Sequence, residues 1–217
     1  MEVNLLENER IDDLQFNGLR IIQNTKGFCF GIDAVLLANF TRVKKNAKLV
    51  DLGTGTGIIP ILLAGKSSAS KIIGIEIQDE VAEMASRSVK LNQLEDRVEI
   101  LNMDMKDAVG VLGKGQMDLV VSNPPYIEDQ VIEGLERDVK DYEPRLALAG
   151  GDDGMDFYNR IIEDAYDYLK LGGKLVFESG HDQAEKILKK MTQVGYTKAY
   201  TKKDIQGFDR LVAAYKY

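Results

Sequence analysis

The chain has 217 residues, which suits one domain of ordinary size with a full hydrophobic core. Its 28 basic and 35 acidic residues give a net charge of −7. Residues 1–125 and 126–217 each carry 14 of the basic residues, so neither half has the broad positive face of a strong nucleic-acid binder. The sequence also lacks an apolar run of membrane-spanning length and the basic and apolar regions of a signal peptide.

Two residue types that carry much protein chemistry occur only once each. The lone Cys29 forms no internal disulfide, which fits a reducing, cytoplasmic location. Together with the lone His181 it offers no zinc-binding set. We therefore expect a cytoplasmic protein that uses no metal and has no membrane partner.

The first strand of the main sheet is predicted at residues 48–52, where β-branched and apolar residues lead into a glycine loop. An apolar run follows at 58–64, with Pro60 in its first turn, where the missing N–H group costs little. Strand, glycine loop and helix in this order are typical of the opening of a Rossmann-type unit.

The glycine spacing and one acid indicate which cofactor this loop binds. Glycines stand at 53, 55 and 57, and neither the G-x-G-x-x-G dinucleotide pattern nor a following Lys-Ser/Thr pair is present. Asp51, near the end of the strand, would repel a pyrophosphate but pair well with a cationic amine. The loop resembles that of class I S-adenosylmethionine (SAM) methyltransferases, whose cofactor carries a cationic ammonium and a cationic sulfonium.

Two further strands are predicted to end beside acids. Residues 72–76 form a strand that ends in Glu76, and residues 98–101 form one that is followed by Asp104. Either acid alone would be explained as a helix N-cap or a solvated loop residue. Here the acids follow successive strands in the same order as in the methyltransferases. The resemblance therefore implies that Glu76 holds the ribose and Asp104 holds the adenine amino group. The implied SAM-binding set is Phe30, Gly31, Asp33, Asp51, Gly53, Thr54, Gly55, Gly57, Glu76, Ile77, Asp104, Met105 and Asn123.

A second motif follows the strand predicted at 117–122. Pro124 and Pro125 fix two φ angles and push Asn123 out of helical space, so a stiff bend presents Asn123 and Tyr126 beyond the strand. A bare Pro-Pro pair is also common in surface turns. With the glycine loop upstream, we predict a catalytic set of Asn123, Pro124, Pro125 and Tyr126. The Asn123 oxygen and the Pro124 carbonyl would accept hydrogen bonds from a flat substrate NH2 group, and the Tyr126 ring would cover it.

The remaining elements complete an α/β pattern. We predict a short helix near 105–112, an irregular polar segment at 127–153, a helix with an apolar stripe from Phe157 to Leu169 that Gly172 and Gly173 stop, a strand at 174–178, a helix at about 182–194, and strands near 196–202 and 210–216. The prediction is a Rossmann-like class I methyltransferase fold with a seven-stranded, mainly parallel sheet and an antiparallel edge hairpin.

The domain prediction is one methyltransferase domain over 1–217. Residues 47–217 form its Rossmann-like core, and residues 1–46 form an N-terminal extension and lid segment. Within that segment, Phe28 to Leu37 is predicted to make a lid or floor beside the cofactor. An ordinary amphipathic helix from Asp33 onward is the alternative.

The finer resemblance is divided between two families. Residues 1–125 are similar to the bacterial family that methylates adenine N6 in the anticodon loop of tRNA1(Val), through segments 9–14, 19–23 and 28–38. Residues 126–217 are similar to the release-factor glutamine methyltransferases, through Ile127 and segments 142–148, 150–158 and 203–210. The glutamine family has an extra N-terminal helical domain, and the tRNA family has a more basic segment after the motif. Neither feature is found here, and this predicts a hybrid joined near the shared motif.

Three functions remain open at this point. The second half favours SAM-dependent methylation of a protein glutamine side chain, with a release factor as partner. The first half favours adenine-N6 methylation of tRNA. A hybrid could also be a SAM-binding scaffold with little turnover.

Overall fold

The computed structural model describes residues 3–27, 29–134 and 145–217. Chain contacts divide it into two compact units, Met1–Ala108 and Val109–Tyr217. The strands are β1 (Glu9–Asp13), β2 (Arg20–Asn24), β3 (Lys48–Leu52), β4 (Lys71–Glu76), β5 (Val98–Asn102), β6 (Met117–Ser122), β7 (Leu169–Glu178), β8 (Tyr196–Lys203) and β9 (Asp209–Lys216). The helices are α1 (Ile32–Phe40), α2 (Ile58–Lys66), α3 (Asp79–Leu91), α4 (Ala108–Leu112), α5 (Asp129–Ile132), α6 (Arg145–Leu148), α7 (Asp156–Tyr168) and α8 (Ala184–Val194). A single 3₁₀ turn, Met105–Asp107, precedes α4.

The predicted fold class is confirmed. Among the described strands, seven form one sheet in the order β5-β4-β3-β6-β7-β9-β8. β3, β4 and β5 pair in parallel, as do β6 and β7, whereas β9 runs antiparallel to β7 and β8. The last two strands therefore form the expected antiparallel hairpin at one edge, and the sheet is mainly parallel.

The predicted strand, loop and helix are found in the first unit. β3 is followed by a loop that ends at Gly57 and then by α2, in which every residue from Ile58 to Ala64 is buried. A helix that is apolar on all sides belongs in a core, so its interior position agrees with its sequence. None of the helices in the described part of the chain is long and apolar enough to cross a membrane.

The N-terminal segment contains a hairpin that the sequence analysis missed. β1 and β2 pair antiparallel from Glu9 with Asn24 to Asp13 with Arg20, as a separate two-stranded sheet. Ile22 of β2 packs with Met84 and Leu91 of α3. β1 alternates poorly between apolar and polar residues, so the strand was not evident from its pattern.

One helix boundary in the second unit was predicted wrongly. Gly172 and Gly173 do not stop α7, which ends at Tyr168. The two glycines lie inside β7, where the register with β6 shifts between Met117 and Leu119. A Cβ on Gly173 would stand 2.8 Å from the Lys170 oxygen, so only glycine at this position allows the irregular strand conformation.

The segment predicted as irregular over 127–153 contains two short helices, α5 and α6, in its described parts. Residues 135–144 of this prediction lie outside the described residues. Beyond it, the apolar stripe of α7 is buried as expected at Ile161, Ile162, Ala165 and Tyr168, whereas Phe157 is only half-buried and its neighbour Tyr158 is buried instead. The helix predicted at 182–194 is α8, and it ends at Gly195, whose φ is +113°.

Candidate cofactor site and acceptor motif

Three glycines shape the loop after β3. Gly53, Gly55 and Gly57 have φ angles of +71°, +55° and +82°, a region that side chains of other residues rarely adopt. The backbone N–H groups of Gly53 and Thr54 both donate to the Ile75 carbonyl at 2.9 Å, which holds the loop against β4. The G-x-G-x-G spacing is therefore explained by the backbone conformation of the loop.

Asp51 is a buried acid beside this loop. Its side chain has no exposed surface, and its Oδ2 accepts a hydrogen bond from the Thr54 hydroxyl at 2.6 Å. The buried Oδ1 makes no hydrogen bond with any described residue. Burial raises the pKa of the Asp51 carboxyl to about 7, while the Thr54 hydrogen bond lowers it and the charge of Glu76 raises it further. An unpaired buried acceptor of this kind is stabilised by a cationic donor.

Glu76 ends β4 with a carboxylate that is almost completely buried, at 5% exposure. Its Oε2 accepts from the Gly55 N–H at 2.9 Å and its Oε1 from the Gln78 N–H at 3.0 Å. The Gln78 side-chain Nε2 also donates to Oε1, at 3.5 Å. Oε2 accepts one hydrogen bond here, and a carboxylate oxygen can accept a second one from a hydroxyl donor. The next residue, Ile77, is 49% exposed and adds an apolar surface beside the acid.

Asp104 and Met105 begin the turn after β5. Asp104 caps the turn, because its Oδ1 accepts from the Lys106 N–H at 2.9 Å. This is the N-cap role considered above for a lone acid, and the second carboxylate oxygen, Oδ2, lies 3.6 Å from the Lys106 Nζ. A Cβ built on Gly53 would meet the Met105 methyl group at 4.0 Å, so Met105 lies beside the glycine loop.

The predicted lid residues lead into α1. Gly31 is exposed and precedes the helix, while Phe30 and Asp33 are partly buried. Phe28, also part of that prediction, lies outside the described residues. The Phe30 N–H donates to Oε1 of Gln23 at 2.9 Å, and Gln23 is itself 3% exposed and bonded to Asp12 of β1. The hairpin thus holds the predicted lid segment through Gln23, a residue to which the sequence analysis gave no role in the site.

The predicted catalytic motif, Asn123-Pro124-Pro125-Tyr126, lies directly after β6 in the second unit. Because it is predicted to hold the methyl acceptor, we call it the acceptor motif. Asn123 and Tyr126 are partly buried, and Pro124 between them is buried. Ile127, the residue after the motif, forms a parallel bridge with Ala149, and its N–H donates to the Leu148 carbonyl at 3.0 Å. The motif is therefore held at both ends, and its polar side chain stands at the carboxyl end of a buried strand.

The acidic and apolar side chains around the glycine loop of the first unit fit SAM. One buried, unpaired acceptor at Asp51 and a second buried carboxylate at Glu76 favour a ligand with a positive charge and hydroxyl donors. Ile77 and Met105 offer apolar surface that would suit a flat base. These side chains would suit a dinucleotide's pyrophosphate poorly, because two acids face the same loop.

Comparison with known proteins agrees with this geometry. The model of the family "Methyltransferase small domain" matches residues 31–137. A solved methyltransferase from Pyrococcus furiosus shares the fold, with a TM-score of 0.67 at 20% identity over 93% of this chain and 91% of that one. The fold and the site together define a class I methyltransferase, whose cofactor is SAM.

Sequence relatives identify the family more closely. The release factor glutamine methyltransferase of Geobacter sulfurreducens is 34% identical over 209 residues, which cover 89% of this chain and 72% of the relative. That of Clostridium botulinum is 37% identical, over 80% of this chain and 61% of the relative. The chain belongs to the release factor glutamine methyltransferase family.

These matches make the predicted hybrid unnecessary. Residues 126–217 are less than half of the chain, yet a single relative aligns with 89% of it. The likeness to glutamine methyltransferases therefore extends well into residues 1–125. One family accounts for both the glycine loop and the acceptor motif.

Proposed function

We propose that this chain transfers a methyl group from SAM to the side-chain amide nitrogen of a glutamine in a release factor. The observation that carries the proposal is Asn123-Pro124-Pro125-Tyr126, which follows β6 with Asn123 partly buried, in a chain of this family. An asparagine amide in a stiff bend pairs well with another planar amide.

The first unit would hold the cofactor. Asp51 would pair with the ammonium group, Glu76 would accept from the ribose hydroxyls, and Asp104 would accept from the adenine amino group. Ile77 and Met105 would contact the adenine, and Phe30, Gly31 and Asp33 would cover or support the cofactor as the lid. We further propose that residues 1–217 act as one catalytic domain. When bound, SAM supplies a methyl group made electrophilic by a sulfonium.

The second unit would orient the acceptor. The Asn123 oxygen and the Pro124 carbonyl would accept hydrogen bonds from the two N–H groups of the glutamine amide, which directs its nitrogen lone pair and stabilises the charge that develops on it. Tyr126 would cover the flat amide and exclude water. The nitrogen forms its new bond to the methyl carbon while the carbon–sulfur bond of SAM breaks, its electron pair returning to sulfur in the departing thioether, and the nitrogen then loses a proton to solvent. Because a cationic amide nitrogen is strongly acidic, no basic side chain is needed in the motif.

The choice of acceptor is tested by offering both candidates to one enzyme preparation. The chain and SAM are incubated with a release factor that contains its Gly-Gly-Gln sequence, with the same factor carrying asparagine for that glutamine, and with unmodified tRNA. We expect mass spectrometry to find one added methyl group on the first substrate only. Methylation of tRNA alone would replace the proposal with adenine-N6 transfer, and SAM binding without transfer to either would favour the scaffold interpretation.

A further inference from the structure

Gln183 makes direct contact with the backbone of the acceptor motif. Its Nε2 donates to the Tyr126 carbonyl at 2.9 Å and to the Gly154 carbonyl at 3.3 Å. The Gln183 side chain is buried, with 6% exposure. A residue 57 positions along the chain thus fixes the peptide plane that ends the motif.

Three glycines pack around the same two residues. A Cβ on Gly154 would stand 2.4 Å from the Tyr126 oxygen and 2.3 Å from the Gln183 Nε2, and one on Gly150 would stand 2.7 Å from the Tyr126 Cα. A Cβ on Gly180 would stand 2.7 Å from the Gln183 Oε1 and 3.3 Å from the Tyr126 ring. Since real Cβ atoms do not approach other atoms this closely, only glycine allows the backbone to enclose Tyr126 here. We call Gly150, Gly154, Gly180 and Gln183 the Tyr126 clamp.

The clamp is anchored to rigid elements. Gln183 precedes α8, its N–H donates to the Gly180 carbonyl at 3.2 Å, and its carbonyl accepts from Ile187 of α8 at 3.0 Å. At the end of β7, the buried Tyr158 hydroxyl donates to the Glu178 carbonyl at 2.9 Å. The segment that carries Gln183 is therefore fixed on both sides.

The chemistry of Gln183 does not suit a purely structural role. Its Oε1 is buried and makes no hydrogen bond with the described part of the chain. Burying an unpaired amide oxygen lowers stability, so what the side chain contributes here is its Nε2 donor and not its oxygen. The part of the side chain that forms hydrogen bonds is the Nε2 donor. One acceptor is the carbonyl of Tyr126, the last residue of the motif, and the other is the carbonyl of Gly154, which packs against Tyr126.

We propose that Gln183 is a positioning residue for methyl transfer, which acts by holding the Tyr126 peptide and thereby the ring and the Asn123 amide. This inference rests on the proposed function of the motif. Gln183 touches neither cofactor nor substrate in this role. Its loss should therefore lower kcat and leave cofactor binding unchanged.

The test compares Gln183→Met with a matched control. Gln183→Met keeps the length and removes the donor, whereas Tyr196→Phe removes a different buried hydrogen bond of the second unit, from the Tyr196 hydroxyl to the Ile162 carbonyl at 3.1 Å. For Gln183→Met we expect kcat on the release factor to fall, by up to about 10²-fold, since small misplacements of reacting groups have effects of that size. Its Kd for SAM should stay close to the parent value, and its Tm should fall no further than that of Tyr196→Phe, because both substitutions remove a buried hydrogen-bond donor. Tyr196→Phe should lower the Tm and keep kcat.

Hydrogen exchange tests the clamp without any substrate. In Gln183→Met, peptides that cover the motif should exchange faster than in the parent, and in Tyr196→Phe they should not. A parent that transfers no methyl group to the release factor contradicts the proposed function, yet faster exchange would still support the clamp. Unchanged exchange and unchanged kcat in Gln183→Met would overturn it, as would equal losses of kcat in both variants.

Discussion

The buried acid Asp51 allows a quantitative prediction. Its pKa of about 7 lies roughly three pH units above the ordinary value of 3.8, mainly because the carboxyl is buried. The folded state therefore binds a proton that the unfolded state has lost between these two pH values. The contribution of Asp51 to the free energy of unfolding is most favourable below pH 4, decreases as the pH rises, and becomes constant above pH 7.

The size of the effect follows from the shift. Asp51→Asn removes the ionisation, so relative to the parent it should gain stability at about 1.4 kcal/mol per pH unit between pH 5 and 7, with a ceiling on the order of 4 kcal/mol over the whole range. Denaturant unfolding of both proteins at pH 5, 6, 7 and 8 measures the difference. A difference that does not change with pH would refute the assignment of a raised pKa to this carboxyl.

SAM binding should promote the ionisation of the Asp51 carboxyl. A cation that pairs with the unpaired Oδ1 of Asp51 favours the charged carboxylate. SAM binding at pH 6 should therefore release a proton from the parent and none from Asp51→Asn. Calorimetry in two buffers of different ionisation enthalpy measures this release. Equal proton release from both proteins would show that Asp51 does not face the cofactor's positive charge.

Substitutions at Glu76, Gly74 and Asn123 test further parts of the proposal. Glu76→Ala should weaken SAM binding by about 1–3 kcal/mol in calorimetry, because it removes charge-assisted hydrogen bonds; Glu76→Gln should lose less, and an unchanged affinity in the alanine variant would contradict the ribose assignment. Gly74→Ala should cost about 1–3 kcal/mol of stability and also weaken SAM binding, since overpacking is destabilising and the added Cβ would stand 2.9 Å from the Thr54 hydroxyl. Gly110→Ala, where a Cβ meets nothing within 4 Å, is its control and should be neutral or stabilising. Asn123→Ala should lower single-turnover methyl transfer by about 10²–10³-fold while SAM affinity changes only a few-fold.

The parts of the fold that the sequence predicted well are those that local rules determine. The glycine loop, the helix after it and the acids that end the strands depend on residues close together in the chain. The positive φ angles at Gly53, Gly55 and Gly57 confirm that the glycines were needed for the turn itself. The hairpin of β8 and β9 was likewise predicted, because no helix separates the two strands.

The parts that were missed depend on contacts distant in sequence. Gly172 and Gly173 were interpreted as a helix stop, but they lie inside β7, in the stretch between Leu169 and Lys174 where its register with β6 shifts. Gln183 gave no signal, because it acts through a hydrogen bond to the carbonyl of a residue 57 positions earlier in the chain. Polar residues of this kind have no periodicity that would mark them, and only the packed structure shows their partners.

The central claim is that the motif orients a glutamine amide for methyl transfer. The most direct measurement is single-turnover transfer to the release factor with isotopically labelled SAM, using the parent, Asn123→Ala and Asn123→Asp, with tandem mass spectrometry to locate the methyl group. The account predicts labelled methyl on the side-chain nitrogen of one glutamine with the parent. Both variants should lose the transfer while keeping SAM affinity, and Asn123→Asp should lose it even though it keeps the size of the side chain, because it adds a charge that must be desolvated. Parent-like rates in both variants, or a methyl group on any other atom, would contradict the account.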